Sequence, residues 1–178
     1  LRFQGRADFT KQPAMLKISE PVHMVENVRI NDVTTAQILK YLNPMFAGAV
    51  KVSGIADFKC DSLLIPIKDG SKNDAALKGT VALSNVRLVA SNLLRQITSR
   101  LNADSSVELN FLPTDFTLAD SIISYDNMQV NVGDNPVNFA GQIGLNKSLD
   151  MRVTLPYTLQ GRTVNAGENG GERVTLDL

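Results

Sequence analysis

Four stretches contain residue types that do chemistry. His23, the only histidine, lies in "PVHMVEN". A general base needs a second group positioned within hydrogen-bond reach, and the flanking sequence supplies none that can be read, so His23 is expected on the surface or in packing. Cys60 is the only cysteine. It shares the parity of Gly54, Ala56 and Phe58, which places it on an apolar face as a small hydrophobe rather than as an electropositive, accessible thiol. Asp57, Asp61, Asp69 and Asp74 lie close in sequence, but their spacing lacks the 12-residue ligand pattern of a calcium loop, so solvated turn carboxylates are expected. "GENGGE", residues 167–172, has the glycines of a phosphate loop without the following Lys-Ser/Thr and without a helix, and reads as a surface loop. No nucleophile, acid–base pair or metal set can be assembled. The expectation is a protein that is not an enzyme, with no catalytic residues, no metal and no cofactor.

Composition narrows the partners. The chain has 178 residues, 43% of them apolar and 20% charged. Such a chain can bury about 70% of its unfolded surface in one domain or two small ones. Eighteen basic and eighteen acidic side chains cancel, and there is no Trp. With neither a net field nor base-stacking platforms, nucleic acid is not an expected partner. No apolar run approaches the ~20 residues that span a bilayer as a helix; "MFAGAV" and "LLIPI" are the longest. No signal peptide is legible. The chain opens on "LRFQGRADF" and closes on "RVTLDL", both strand-like, so residues 1–178 are expected to form a single β-rich domain cut from a longer protein, with a weak subdivision near 104–106.

The elements that would position any site are mostly strands. A unit of Gly, any residue, a small or branched apolar residue, any residue, then a large apolar residue recurs. Its copies are Gly5–Phe9, Gly54–Phe58, Gly79–Leu83 and Gly141–Leu145. The last three lead into a polar turn and a second apolar arm. The copies are unevenly spaced, which describes hairpins of one sheet with insertions rather than a solenoid. Further period-two runs put Val28 with Ile30, and Val107 with Leu109 and Phe111. From 127 to 155 a three-strand meander is predicted. Its apolar face carries Met128, Val130 and Val132, then Val137, Phe139, Gly141, Ile143 and Leu145, then Leu149, Met151, Val153 and Leu155, with "GDNP" as the first turn. Two segments change to helical period. One has Ile38, Leu39, Leu42, Met45 and Phe46 after the caps Asp32 and Thr34, with Pro44 forcing a kink or a second short helix capped by Asn43. The other is "SNLLRQITSRLN", capped by Ser91, with Leu93, Leu94, Ile97 and Leu101 as its stripe. The predicted fold is α+β and mostly antiparallel β: a curved or groove-like sheet of successive hairpins, with two short amphipathic helices packed on its apolar face.

Taken in order, three segments carry a resemblance. They are "VRINDVTTAQILKYLNPMFAGAVKVSGIADFKCDSLLIPI", "ALKGTVALSNVRL" and "VELNFLPTDFTLADSIISYDNMQVNVGDNPVNFAGQIGLNKSLDMRVTLP". Over about residues 20–160 they resemble the C-terminal region of AsmA-like bacterial envelope proteins, close in character to the TamB group. There a G-x-[IV]-x-L strand is followed by L-D-hydrophobic, here Gly141–Leu145 and Leu149-Asp150-Met151. The resemblance implies a protein anchored in the inner membrane through a segment outside this sequence, with its bulk in the periplasm. It also implies a hydrophobic β-groove linked to phospholipid movement and outer-membrane homeostasis. It carries no catalytic residues.

Two functions stand side by side at this point. In one, the chain holds or conducts a phospholipid or other acyl-chain lipid along a groove lined by Met128, Val130, Val132, Val137, Phe139, Ile143, Leu145, Leu149, Met151, Val153 and Leu155. In the other it is a structural or interaction β-domain of a surface protein with a dry core and no ligand. Expected protein partners are the rest of its own longer chain and, through unpaired edge strands, a second copy.

Overall fold

The computed structural model describes residues 6–10, 14–31, 38–49, 51–67, 74–89, 91–101, 108–159, 162–164 and 172–174. In chain order the strands are β1 (Arg6–Asp8), β2 (Met15–Ile18), β3 (Val22–Ile30), β4 (Lys51–Pro66) and β5 (Ala76–Val89). After the helix α1 (Asn92–Arg100) come β6 (Leu109–Phe111), β7 (Thr114–Ala119), β8 (Ile122–Val132), β9 (Asn135–Gly144) and β10 (Leu149–Thr154). Last are β11 (Tyr157–Leu159), β12 (Arg162–Val164) and β13 (Glu172–Val174). All but β11 and β12, which pair with each other, join one antiparallel sheet of 11 strands. Its path is a meander. The short strands β2 and β3 lie end to end along β4, with Pro21 in the gap, and β6 and β7 lie end to end between β5 and β8, with Pro113 in the gap. A proline has no N–H to give a ladder, so each long strand breaks there without leaving the sheet.

Alternation predicts one apolar side, and the register bears this out. Ile18, Leu63, Leu77, Leu118, Ile123, Ile143 and Leu149 stand opposite one another in turn across β2, β4, β5, β7, β8, β9 and β10. A second row runs Met128–Phe139–Val153 and a third Phe111–Val130–Val137. Between these rows the register shifts, and each described copy of the glycine unit stands beside such a shift. Register shifts occur beside Gly54 (Ser84 to Arg87 on β5), beside Gly79 (Cys60 to Ser62 on β4) and beside Gly141 (Tyr125 to Met128 on β8). Each shift adds one residue to one strand, which restores the phase that a bend would spoil. At Gly141 the backbone has φ +141°, and a Cβ would lie 2.2 Å from the Asp150 carbonyl oxygen. Only glycine lets β10 approach so closely. The β7–β8 turn uses Asp120 (φ 52°) and Ser121 (φ 61°), both left-handed, as a two-residue hairpin of right-handed twist requires.

The helical cover departs in part from expectation. α1 forms as predicted: Ser91 Oγ accepts from the Leu94 N–H, and Leu93, Leu94 and Ile97 are buried. Between 38 and 46 the described residues form two single 3-10 turns, Leu39–Tyr41 and Pro44–Phe46, rather than an amphipathic α-helix. Pro44 cannot donate into a longer ladder. Asn43 starts the second turn, its Oδ1 accepting from the Met45 N–H at 2.7 Å. The proposed caps Asp32 and Thr34 lie outside the described residues, as do Gly5, Asp69, Val107 and the boundary near 104–106. Leu39, Met45, Phe46 and the α1 stripe share one buried cluster with the sheet's apolar side. Among the described residues no helix is long and apolar enough to cross a membrane.

Gly141→Ala is therefore expected to destabilise the protein by about 2–4 kcal/mol in urea unfolding, from a side chain forced onto the Asp150 carbonyl in a strained backbone. A loss near zero would show that β9 and β10 do not meet in this register.

Candidate functional site

The apolar side divides into a covered and a less completely buried part. Phe46 stacks on Phe111 with ring centroids 5.5 Å apart. The Tyr125 hydroxyl donates to the Leu42 carbonyl, and Asn43 Nδ2 lies 3.0 Å from Met128 Sδ. Tyr125 and Met128 flank the β8 bulge, and its extra residue turns both inward to address two consecutive residues of the cover. Beneath this cover lie most of the residues that sequence reasoning proposed as groove lining. Met128, Val130, Val132, Val137, Phe139, Ile143, Leu149, Met151 and Val153 are all buried, with Phe139 at 0%. Leu155 is partly buried against the same cluster. Together they form a packed interior.

Leu145 is a correction. Parity places it on the apolar side, but it is 44% exposed. The β9–β10 turn begins one residue early: the Gly144 N–H donates to Ser148 O and the Lys147 N–H to Gly144 O, with Lys147 at φ 75°. Leu145 thus belongs to the loop, and alternation stops at Ile143.

A less completely buried part lies on β3, β4, the first half of β5, and β7, around the buried Ile30, Val52, Cys60, Val81 and Phe116. Ala56, Phe58, Leu77 and Leu118 are only partly buried and pack at the margin of the main cluster. Phe58 and Phe116 rings lie 5.8 Å apart, and the Phe58 ring sits where a Cβ on Gly79 would fall. Val25 and Leu63 are half-buried, while Ile65 is 39% and Val28 45% exposed. Register puts all of these on the side that the helices cover elsewhere. Val25 stands opposite Phe58, Val28 opposite Ala56, and Leu63 opposite Leu77. Parity already put Val28, Ala56 and Phe58 on an apolar face, but it missed Val25, which a bulge at Asn27 (φ 51°) separates from Val28; the Asn27 N–H donates to Asp57 Oδ1 at 2.8 Å. Period two is broken in "VHMVENVRI", and the signal with it.

The reactive candidates are dispersed. His23 and Glu26 form an exposed pair at 3.7 Å. Asp61 pairs with Lys59 at 2.9 Å, and Asp57 serves Asn27. Among the described residues no group of three or more His, Cys, Asp or Glu is placed to hold a metal ion. Cys60 is wholly buried. Its thiol is pushed upward first by that burial and second by the Asp61 carboxylate, partly offset by a hydrogen bond from the Ser62 backbone, the reverse of an activated nucleophile. Burial also raises the Tyr125 hydroxyl far above its ordinary value. "GENGGE" lies outside the described residues apart from the backbone of Glu172.

No known family pattern, no curated protein and no solved structure matches this chain.

Phe139→Ala is expected to lose about 3–5 kcal/mol of stability through an unfilled cavity, whereas Leu145→Ser changes it by less than about 0.5 kcal/mol. Comparable losses from both would place Leu145 inside. In alkali the sign is fixed by the two raised groups. The folded chain retains the protons of Cys60 and Tyr125 that the unfolded chain releases above pH ~8.5 and ~10, so stability falls as pH climbs through that range. Urea midpoints that stay level from pH 8 to 11 would contradict their burial.

Proposed function

We propose that this chain is a non-enzymatic module of the AsmA-like type that holds acyl-chain lipid against the less completely buried apolar stretch of its sheet. The observation that supports this reading is the continuity of the oily side past the helical cover. The row Leu63–Leu77–Leu118 leads straight into the buried Ile123 and Ile143, yet its own three residues are only partly buried. A water-facing surface of this kind is stabilised when hydrocarbon lies on it. Each buried methylene contributes about 0.8 kcal/mol, so a 16-carbon tail gains at most ~12 kcal/mol before ordering losses, and less where one flank stays wet. In this reading the sheet curves into a trough, its floor is Phe58, Leu63, Leu77 and Leu118, and the buried β8–β10 residues form the wall that closes one end. The setting is the periplasm or cell envelope, with the remainder of a longer, anchored chain and phospholipid as partners.

The second reading, a structural or interaction β-domain with a dry core, draws on a specific observation as well: Met128, Val130, Val132, Val137, Phe139, Ile143, Met151 and Val153 are all buried from solvent. Native mass spectrometry of gently extracted protein separates the two. Lipid adducts are expected on the wild-type protein and are reduced at least ~10-fold by Leu77→Lys, whose charge would sit on the trough floor. Adduct-free protein, or adducts indifferent to Leu77→Lys, would favour the dry domain.

A further inference from the structure

The nine-residue strand β3 is paired on one side only, with β4; among the described residues no strand lies along its other edge. The matching position beside the collinear β2 is filled by β1, so among the described residues the open edge is Val22–Ile30. Glu26, Asn27, Val28 and Arg29 are all exposed there. The geometry points to β3 as an interface with a second copy of this chain, the two β3 strands pairing antiparallel about a two-fold axis normal to the sheet.

The sequence of the edge carries this choice of occupant. "VENVRI", residues 25–30, is self-complementary when reversed. The half-buried Val25 falls in register with Ile30 of the partner subunit, which is already buried within its own chain, both on the apolar side, as their opposite residues Phe58 and Gly54 show. Glu26 meets Arg29 of the partner subunit on the polar side, where Glu26 already lies 3.7 Å from His23. The two-fold axis repeats each pair, giving two apolar and two ionic contacts in one self-matched patch. Asn27 turns its N–H inward to Asp57 and withholds it from a partner. The ladder between copies is thus interrupted at its centre, and the side-chain pairs set the register. A six-residue strand pair buries less than the ~1,200 Å² of stable interfaces, so the association is weak and concentration-dependent. An axis normal to the sheet keeps both apolar sides on one face. The two less completely buried stretches then join across Val25 and Val28, with a helical cover at each far end.

Sedimentation velocity on the chain, taken into the high-micromolar range, tests this without any ligand. The wild-type protein is expected to show a reversible monomer–dimer equilibrium. Glu26→Arg and Arg29→Glu, separately, place like charges opposite each other and weaken it by about tenfold each. An equimolar mixture of the two variants, in which every charge again faces its opposite, associates more tightly than either alone. Thermal melts matching wild type confirm that both variants are folded. A wild-type chain that stays monomeric throughout overturns the interface, as does a dimer whose strength ignores both reversals.

Discussion

A sheet that is oily on one side must keep that side in phase through every register shift, and the rest of this structure follows from how the chain does so. Each two-residue repeat turns one side chain in and one out, so a single slipped residue would send a whole strand's hydrophobic set into water. The register shifts beside Gly54, Gly79 and Gly141 each add one residue to one strand. The added residue corrects the phase, and the glycine removes the side chain that would otherwise hold the strands apart. At its three described copies the glycine unit thus marks a register shift, at uneven spacing along the chain.

What happens above the oily side is decided by a short cover. Among the described residues the cover consists of two 3-10 turns and one nine-residue helix. They meet β6 and β8, where Phe111 offers a ring to Phe46, and the β8 bulge offers Tyr125 and Met128 to the backbone and side chain of residues 42 and 43. On β3, β4 and β7 the burial is uneven: Ile30, Val52 and Phe116 join the same cluster, while Ala56, Phe58 and Leu118 are only partly buried. The same alternation therefore produces a dry core in one half and a half-wet surface in the other.

This is also the boundary of what could be read from residues alone. The meander over 127–155, its turn at Gly133 and Asp134, and the Ser91-capped helix were all legible, because each rests on local pattern: strict alternation, turn chemistry or a cap. Leu145 was misplaced because a hydrogen bond from Gly144 to Ser148 closes the turn before alternation ends. The segment over 38–46 has helical spacing, yet Pro44 limits it to single turns. The lining proposed on Met128 to Val153 has the right parity, but parity cannot say which oily residues receive a cover. That depends on contacts between residues more than 80 positions apart, such as Asn43 with Met128 and Leu42 with Tyr125. Val25 and Leu63 were hidden for a second reason: bulges put them out of phase with Val28 and with Phe58.

Functionally, the half-roofed sheet joins a rigid interior to a surface that water solvates poorly. Hydrocarbon laid on Phe58, Leu63, Leu77 and Leu118 would complete the core that the helices leave unfinished. The most direct measurement of that claim is photo-cross-linking with a diazirine-bearing palmitic acid, mapped by peptide mass spectrometry. The account predicts labels within residues 56–65, 77–81 and 116–118. Labels confined to residues 128–153, or none above a heat-denatured control, would contradict it.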